Sequence, residues 1–123
     1  MQPLLKNPAS AYRKVDLDAR IEASASDDLT RICLEEAAAA LGQALIAMER
    51  APDASPRDPL SRAHGIAVYL ARSVAPQNPM RRTLVEFYGG LADTIGRNMR
   101  HARHPEIAQA REDFRDVLKA LSA

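Results

Sequence analysis

Leu29-Thr30-Arg31-Ile32-Cys33-Leu34-Glu35-Glu36-Ala37-Ala38-Ala39-Ala40-Leu41-Gly42-Gln43-Ala44-Leu45-Ile46-Ala47-Met48 is the stretch on which the fold turns. Leu29, Cys33, Ala37, Ala40, Leu41, Ala44 and Met48 recur at helical spacing, as the apolar stripe of a core-facing helix does. Ser26 before it is a good N-cap residue, and Asp27 and Asp28 sit in a first turn where the helix dipole favours negative charge. The pattern therefore predicts a helix that starts at Ser26 and ends before Pro52.

Working outward, Pro52-Asp53-Ala54-Ser55-Pro56-Arg57 reads as a loop, because two prolines cannot continue a helix. Asp58-Pro59 then reads as cap and first position of a second helix, with Leu60, Ala63, Ala67, Leu70, Ala71 and Val74 on its core face. Asn78-Pro79 repeats that start for a third, with Met80, Leu84, Phe87, Leu91, Ile95 and Ala102. His104-Pro105 opens a fourth, with Ile107, Ala110, Phe114, Val117, Leu118 and Leu121. No segment alternates apolar and polar residues between turns as a strand does. Four helices with short links and one stripe each predict an all-α fold, an antiparallel four-helix bundle. The expected organisation is one domain over residues 1–123, with an N-terminal arm or short extra helix in residues 1–25 and the bundle in 26–123.

With 123 residues the chain can bury a core without disulfide or metal. One cysteine, Cys33, on the apolar stripe of the first helix, fits a small core residue in a reducing compartment. The first residues lack the basic and apolar regions of a secretory signal, so a cytoplasmic protein is expected. The uncharged run 37–48 is too short for a bilayer, so no membrane insertion is expected. Seventeen basic against sixteen acidic residues leave no global field.

Catalytic and metal-binding patterns give little. No glutamate is followed three residues on by histidine, the pairing that di-iron bundles use. His101 and His104 stand beside Pro105 with no cysteine nearby in sequence, against the four ligands of a closed zinc site. No phosphate-cradling glycine loop or nucleophile elbow occurs. Arg97, Arg100, His101, Arg103 and His104 complement a helix C-terminus and have no interleaved aromatic for stacking bases, so nucleic acid is not an expected partner. The expectation is a protein without catalytic activity, cofactor or metal.

Two sets of residues exceed what a plain bundle needs. Ile32, Ala39 and Ile46 form a second row on the first helix, spaced by sevens, and Val68 and Tyr69 stand off the core face of the second. On the third helix Val85, Gly89, Ala92 and Gly96 form a row of mostly small residues, which either admits a neighbouring bundle helix or forms a groove for an amphipathic client helix. Three glycines in one helix, with Gly90, cost about 1 kcal/mol each relative to alanine.

Ahead of the first helix stands Ala11-Tyr12-Arg13-Lys14-Val15, followed by Ile21-Glu22-Ala23-Ser24 and then by Leu29 and Leu34-Glu35-Glu36-Ala37. In order and spacing this resembles the arm and first helix of the flagellar export chaperone family FliS. Leu60-Ser61-Arg62-Ala63 with Ile66 and Leu70 is similar to that family's second helix, and Phe87-Tyr88 resembles its Leu-Tyr pair. Gly89-Gly90 and Asp93-Thr94 replace the tyrosine and paired arginines that follow, and the family's Ala-Asn ending is missing. The resemblance implies a flagellin-binding export chaperone. Such a protein holds the disordered C-terminal segment of flagellin, prevents premature polymerisation, and meets the export gate component FlhA. On that reading Tyr12, Val15 and Ile21 on the arm compete with or join Ile32, Ile46, Val68, Tyr69, Val85, Gly89, Ala92 and Gly96 in client binding. The alternative is a structural or regulatory bundle that uses the same rows to form a homodimer, with no unfolded client.

Overall fold

A computed structural model describes the backbone of residues 8–122 and the side chains of residues 27–122. Its helices are α1 Pro8–Arg50, α2 Arg57–Ser73, α3 Arg81–Arg100 and α4 His104–Ser122, and there is no strand among the described residues. Two compact units divide the chain, Met1–Thr30 and Arg31–Ala123. In the first unit the backbone from Pro8 onward is helical. The second holds the four-helix bundle.

The helix predicted to start at Ser26 starts at Pro8 instead. Pro8 takes a first helical position, where the missing N–H has no intrahelical partner to lose. From there to Gly42 no proline or glycine intervenes, and alanine, leucine, arginine and glutamate recur. A good capping residue does not stop a helix that arrives already formed, because propagation needs no new nucleus.

The later helices start close to their proline signals but are capped otherwise. α2 begins at Arg57 behind a buried Pro56, with Asp58 in its first turn and no side-chain cap. Asn78 accepts the Met80 N–H through Oδ1 at 2.8 Å, and Pro79 and Met80 form a turn before α3. Met80, assigned to the α3 core face, therefore lies ahead of the helix and is 54% exposed. Ala102, assigned to the same face, follows the end of α3 and is half-buried.

The core joins all four helices. Leu34 and Leu41 of α1, Leu60 and Leu70 of α2, Ile95 of α3, and Ile107 and Phe114 of α4 are the largest apolar side chains enclosed completely. Burying each stabilises the fold by about 1.5–3 kcal/mol relative to exposure. Between them lie Ala37, Ala40, Ala44, Ala63, Ala67 and Ala110, whose short side chains bring the helix backbones close. The buried face of α1 is wider than the predicted stripe and includes Leu34, Ala38 and Leu45. Its breadth has a visible cause, since α1 is flanked on one side by α2, where Arg62 donates to Gln43 Oε1 at 2.6 Å. On the other side lies α4, where His104 Nε2 meets Glu49 Oε2 at 3.3 Å. Leu29 and Leu121, placed on core stripes from the sequence, are 47% and 37% exposed because they lie at the ends of those stripes.

A polar clasp fixes the turn between α3 and α4. Asn98 is buried, donates through Nδ2 to the Thr94 carbonyl at 2.8 Å and to Glu106 Oε1 at 3.1 Å, and accepts the Arg103 N–H at 2.7 Å. Among the described residues no helix is long and apolar enough to cross a membrane.

Candidate functional site

The outward face of α1 in residues 31–50 is the clearest surface feature. Ile32 is 55% exposed and Ile46 49%, and Ala39 between them is also exposed. On α2, Tyr69 is 46% exposed, whereas Val68 leans on the core and is half-buried. This is the row that the seven-residue spacing predicted. Isoleucine left half in water forgoes roughly half of the 1.5–3 kcal/mol that full burial yields, which a partner could recover.

The polar residues of this face are as informative. Glu35 and Glu36 are exposed and make no hydrogen bond or ion pair among the described residues. Arg62 reaches over from α2 to Gln43, a neutral partner. From α4, Arg111 lies across Gly42, where an added Cβ would come within 3.4 Å of its Nε. That Nε is buried without a hydrogen-bond partner. Gly42 thus seats a guanidinium against the α1 backbone, and among the described residues neither arginine has a carboxylate partner.

The α3 row divides. Ala92 is buried in the bundle core, and Gly96 faces the His64 ring of α2, whose Cδ2 stands 3.5 Å from where a Cβ would be. These two therefore do not line an open groove, and the correction has a packing cause: small residues let α2 and α3 approach closely. Val85 is half-buried. At Gly89 and Gly90 a Cβ would meet nothing within 4 Å, so no neighbour in the bundle requires their smallness. Tyr12, Val15 and Ile21 lie outside the residues described at side-chain level. The residues assigned to client binding are thus not one surface, and Ile32, Ile46 and Tyr69 are the large apolar side chains among them that stay exposed.

A separate open cavity of about 190 Å³ lies between α3 and α4, with Thr94, Arg97, Glu106 and Asp113 among its lining. It contains none of the residues assigned to client binding. Its charged groups are largely engaged locally: Arg97 bonds Thr94 Oγ1, Gln109 bonds Asp113, and Glu106 belongs to the Asn98 clasp.

Burial raises the Cys33 thiol above its ordinary value and does the same to the Tyr88 phenol. Among the described residues no three histidine, cysteine, aspartate or glutamate side chains gather as a metal site would need. Sequence reading missed Asn98, Gly42 and Arg111. The signal for Asn98 was a polar residue one helical turn after Ile95 on the core face, just before the His104-Pro105 start. Comparison with protein families, curated proteins and solved structures gives no match to this chain.

Proposed function

We propose that this chain is a flagellin-binding export chaperone of the FliS kind, working in the cytoplasm without catalytic chemistry or cofactor. One observation carries the reading: a closed bundle with its own complete core still leaves Ile32, Ile46 and Tyr69 outside it. The arm and first-helix resemblance gives those side chains a client, the disordered C-terminal segment of flagellin, and an onward partner, the export gate component FlhA.

A disordered segment that becomes helical on the bundle loses conformational entropy and recovers free energy by burying apolar area. Half-exposed isoleucines on a rigid helix suit that exchange, because they are ordered before the client arrives. Isothermal titration calorimetry with a C-terminal flagellin peptide from the same organism tests the proposal. A one-to-one complex with a negative heat-capacity change is expected, weakened by Ile46→Asp. Absence of heat and of any complex at micromolar concentrations refutes it.

A further inference from the structure

The outward face of α1 is self-complementary about Ala39. Ile32 lies seven residues before Ala39 and Ile46 seven after; Glu35 and Glu36 precede it by four and three, and Gly42 and Gln43 follow it by three and four. We propose that a second copy of this chain covers this face in the free protein, through an antiparallel α1 pair with its two-fold axis at Ala39. The inference concerns what occupies the face before any client does, and it stands independently of the client reading.

A two-fold axis there brings Ile32 of each copy level with Ile46 of the other, and Ala39 opposite Ala39. Two isoleucine pairs then flank an alanine contact along about 21 Å of helix. Alanine at the axis permits close approach. A seven-residue repeat keeps the apolar row in register when two helices cross at about 20°. The interface is isologous, so it closes at a dimer and cannot propagate.

Charge complementarity selects this occupant. Glu36 shares a flank of α1 with Gln43, and the axis sets it beside Gln43 of the partner, where Arg62 already reaches. Glu35 shares the other flank with Gly42, and it comes beside Gly42 of the partner, where the guanidinium of Arg111 lies without a carboxylate among the described residues. Each copy therefore presents two unpaired carboxylates and two arginines lacking a carboxylate, and the two-fold matches all of them. A lone chain offers no such match, since Glu35 and Glu36 make no ion pair among its described residues. Like-charge or unpaired juxtaposition would disfavour other registers.

Disulfide trapping and sedimentation equilibrium on the full chain without peptide test the pair. In a Cys33→Ser background, Ala39→Cys should cross-link to a dimer under mild oxidation. Arg115→Cys, exposed on α4, should not. Glu36→Arg and Arg62→Glu should each weaken dimerisation roughly tenfold or more, and the two together in one chain should restore it. Residues 36, 39, 62 and 115 are exposed, so the variants should fold, which circular dichroism checks. A monomer at all concentrations with no Ala39→Cys cross-link overturns the pair. So does a dimer indifferent to both charge reversals, or equal cross-linking at position 115. Peptide is added only in a separate run. A monomer that binds flagellin peptide sinks the dimer and leaves the chaperone reading standing, while a dimer that ignores the peptide does the reverse.

Discussion

Replacing Asn98 is the most discriminating perturbation of the bundle. Its amide bonds the Thr94 carbonyl, Glu106 Oε1 and the Arg103 N–H, all from a buried position. Asn98→Ala removes all three. The Thr94 carbonyl keeps its place in the α3 ladder, so that loss is small. The bond to the Glu106 carboxylate is of the charged kind, worth about 1.5–3 kcal/mol, and the Arg103 N–H loses an ordinary bond worth about 1 kcal/mol. The expected cost is about 2–4 kcal/mol, which for a domain of this size lowers the thermal midpoint by roughly 10–15 °C.

Asn98→Asp sharpens the test. It keeps an oxygen for the Arg103 N–H but sets a second carboxylate where the amide nitrogen now stands, 3.1 Å from Glu106. Burial and the like charge would raise the new carboxyl above the unfolded value of about 3.9. A group raised in the folded state contributes stability below its unfolded pKa and loses it as pH rises through the folded one. Asn98→Asp should therefore be worse than Asn98→Ala at pH 7 and recover toward pH 4. Thermal melts by circular dichroism read both. A shift under about 3 °C for Asn98→Ala, or no pH dependence in Asn98→Asp, would refute the clasp as an energetic element.

Ala92→Trp should destabilise the bundle by at least about 1–3 kcal/mol through overpacking, since Ala92 is buried in the core; an unchanged melt would put it on an open surface. Stability should fall as pH rises above about 10, because the Tyr88 phenol, raised by burial, loses its proton more readily in the unfolded chain; Tyr88→Phe should flatten that alkaline limb in pH-dependent denaturant titrations. Cys33, half-buried and with its thiol raised, should react with a thiol reagent at pH 7 more slowly than the same cysteine in urea-unfolded protein. Equal rates would show that position 33 is open.

Periodicity made the four-helix bundle readable because each stripe records which side of a helix meets the others. Ala37, Leu41, Leu60, Leu70, Ile95 and Phe114 are enclosed where their spacing put them. Helix starts were less legible. Ser26 satisfies every local rule for a cap, yet the preceding residues carry the helix past it, and a cap preference of about 1 kcal/mol cannot interrupt a formed helix. On the surface, Ile32, Ile46 and Tyr69 could be singled out because an apolar residue opposite a core stripe has nowhere to go. The small residues of α3 could not be sorted the same way. Gly96 meets α2, Ala92 is enclosed in the core and Gly89 meets no neighbour, a difference set by which helix arrives, which a single helix's pattern does not encode. Arg111 on Gly42 was invisible for the same reason, being a pairing between positions remote in sequence.

The shortness of the links at 51–56, 74–80 and 101–103 bears on how quickly the unit Arg31–Ala123 finds its shape. α2 meets α3, and α3 meets α4, each across a tight return in which little loop entropy is lost. The Asn98 clasp turns the last return into a defined corner. Among the described residues, the seam between α1 and α4, with Arg111 at Gly42 and His104 at Glu49, joins segments far apart along the chain. Chains dominated by such local meetings refold in microseconds to milliseconds. The seam closes the ring of helices across the longest stretch of chain, and so carries the largest loop-closure entropy of these contacts.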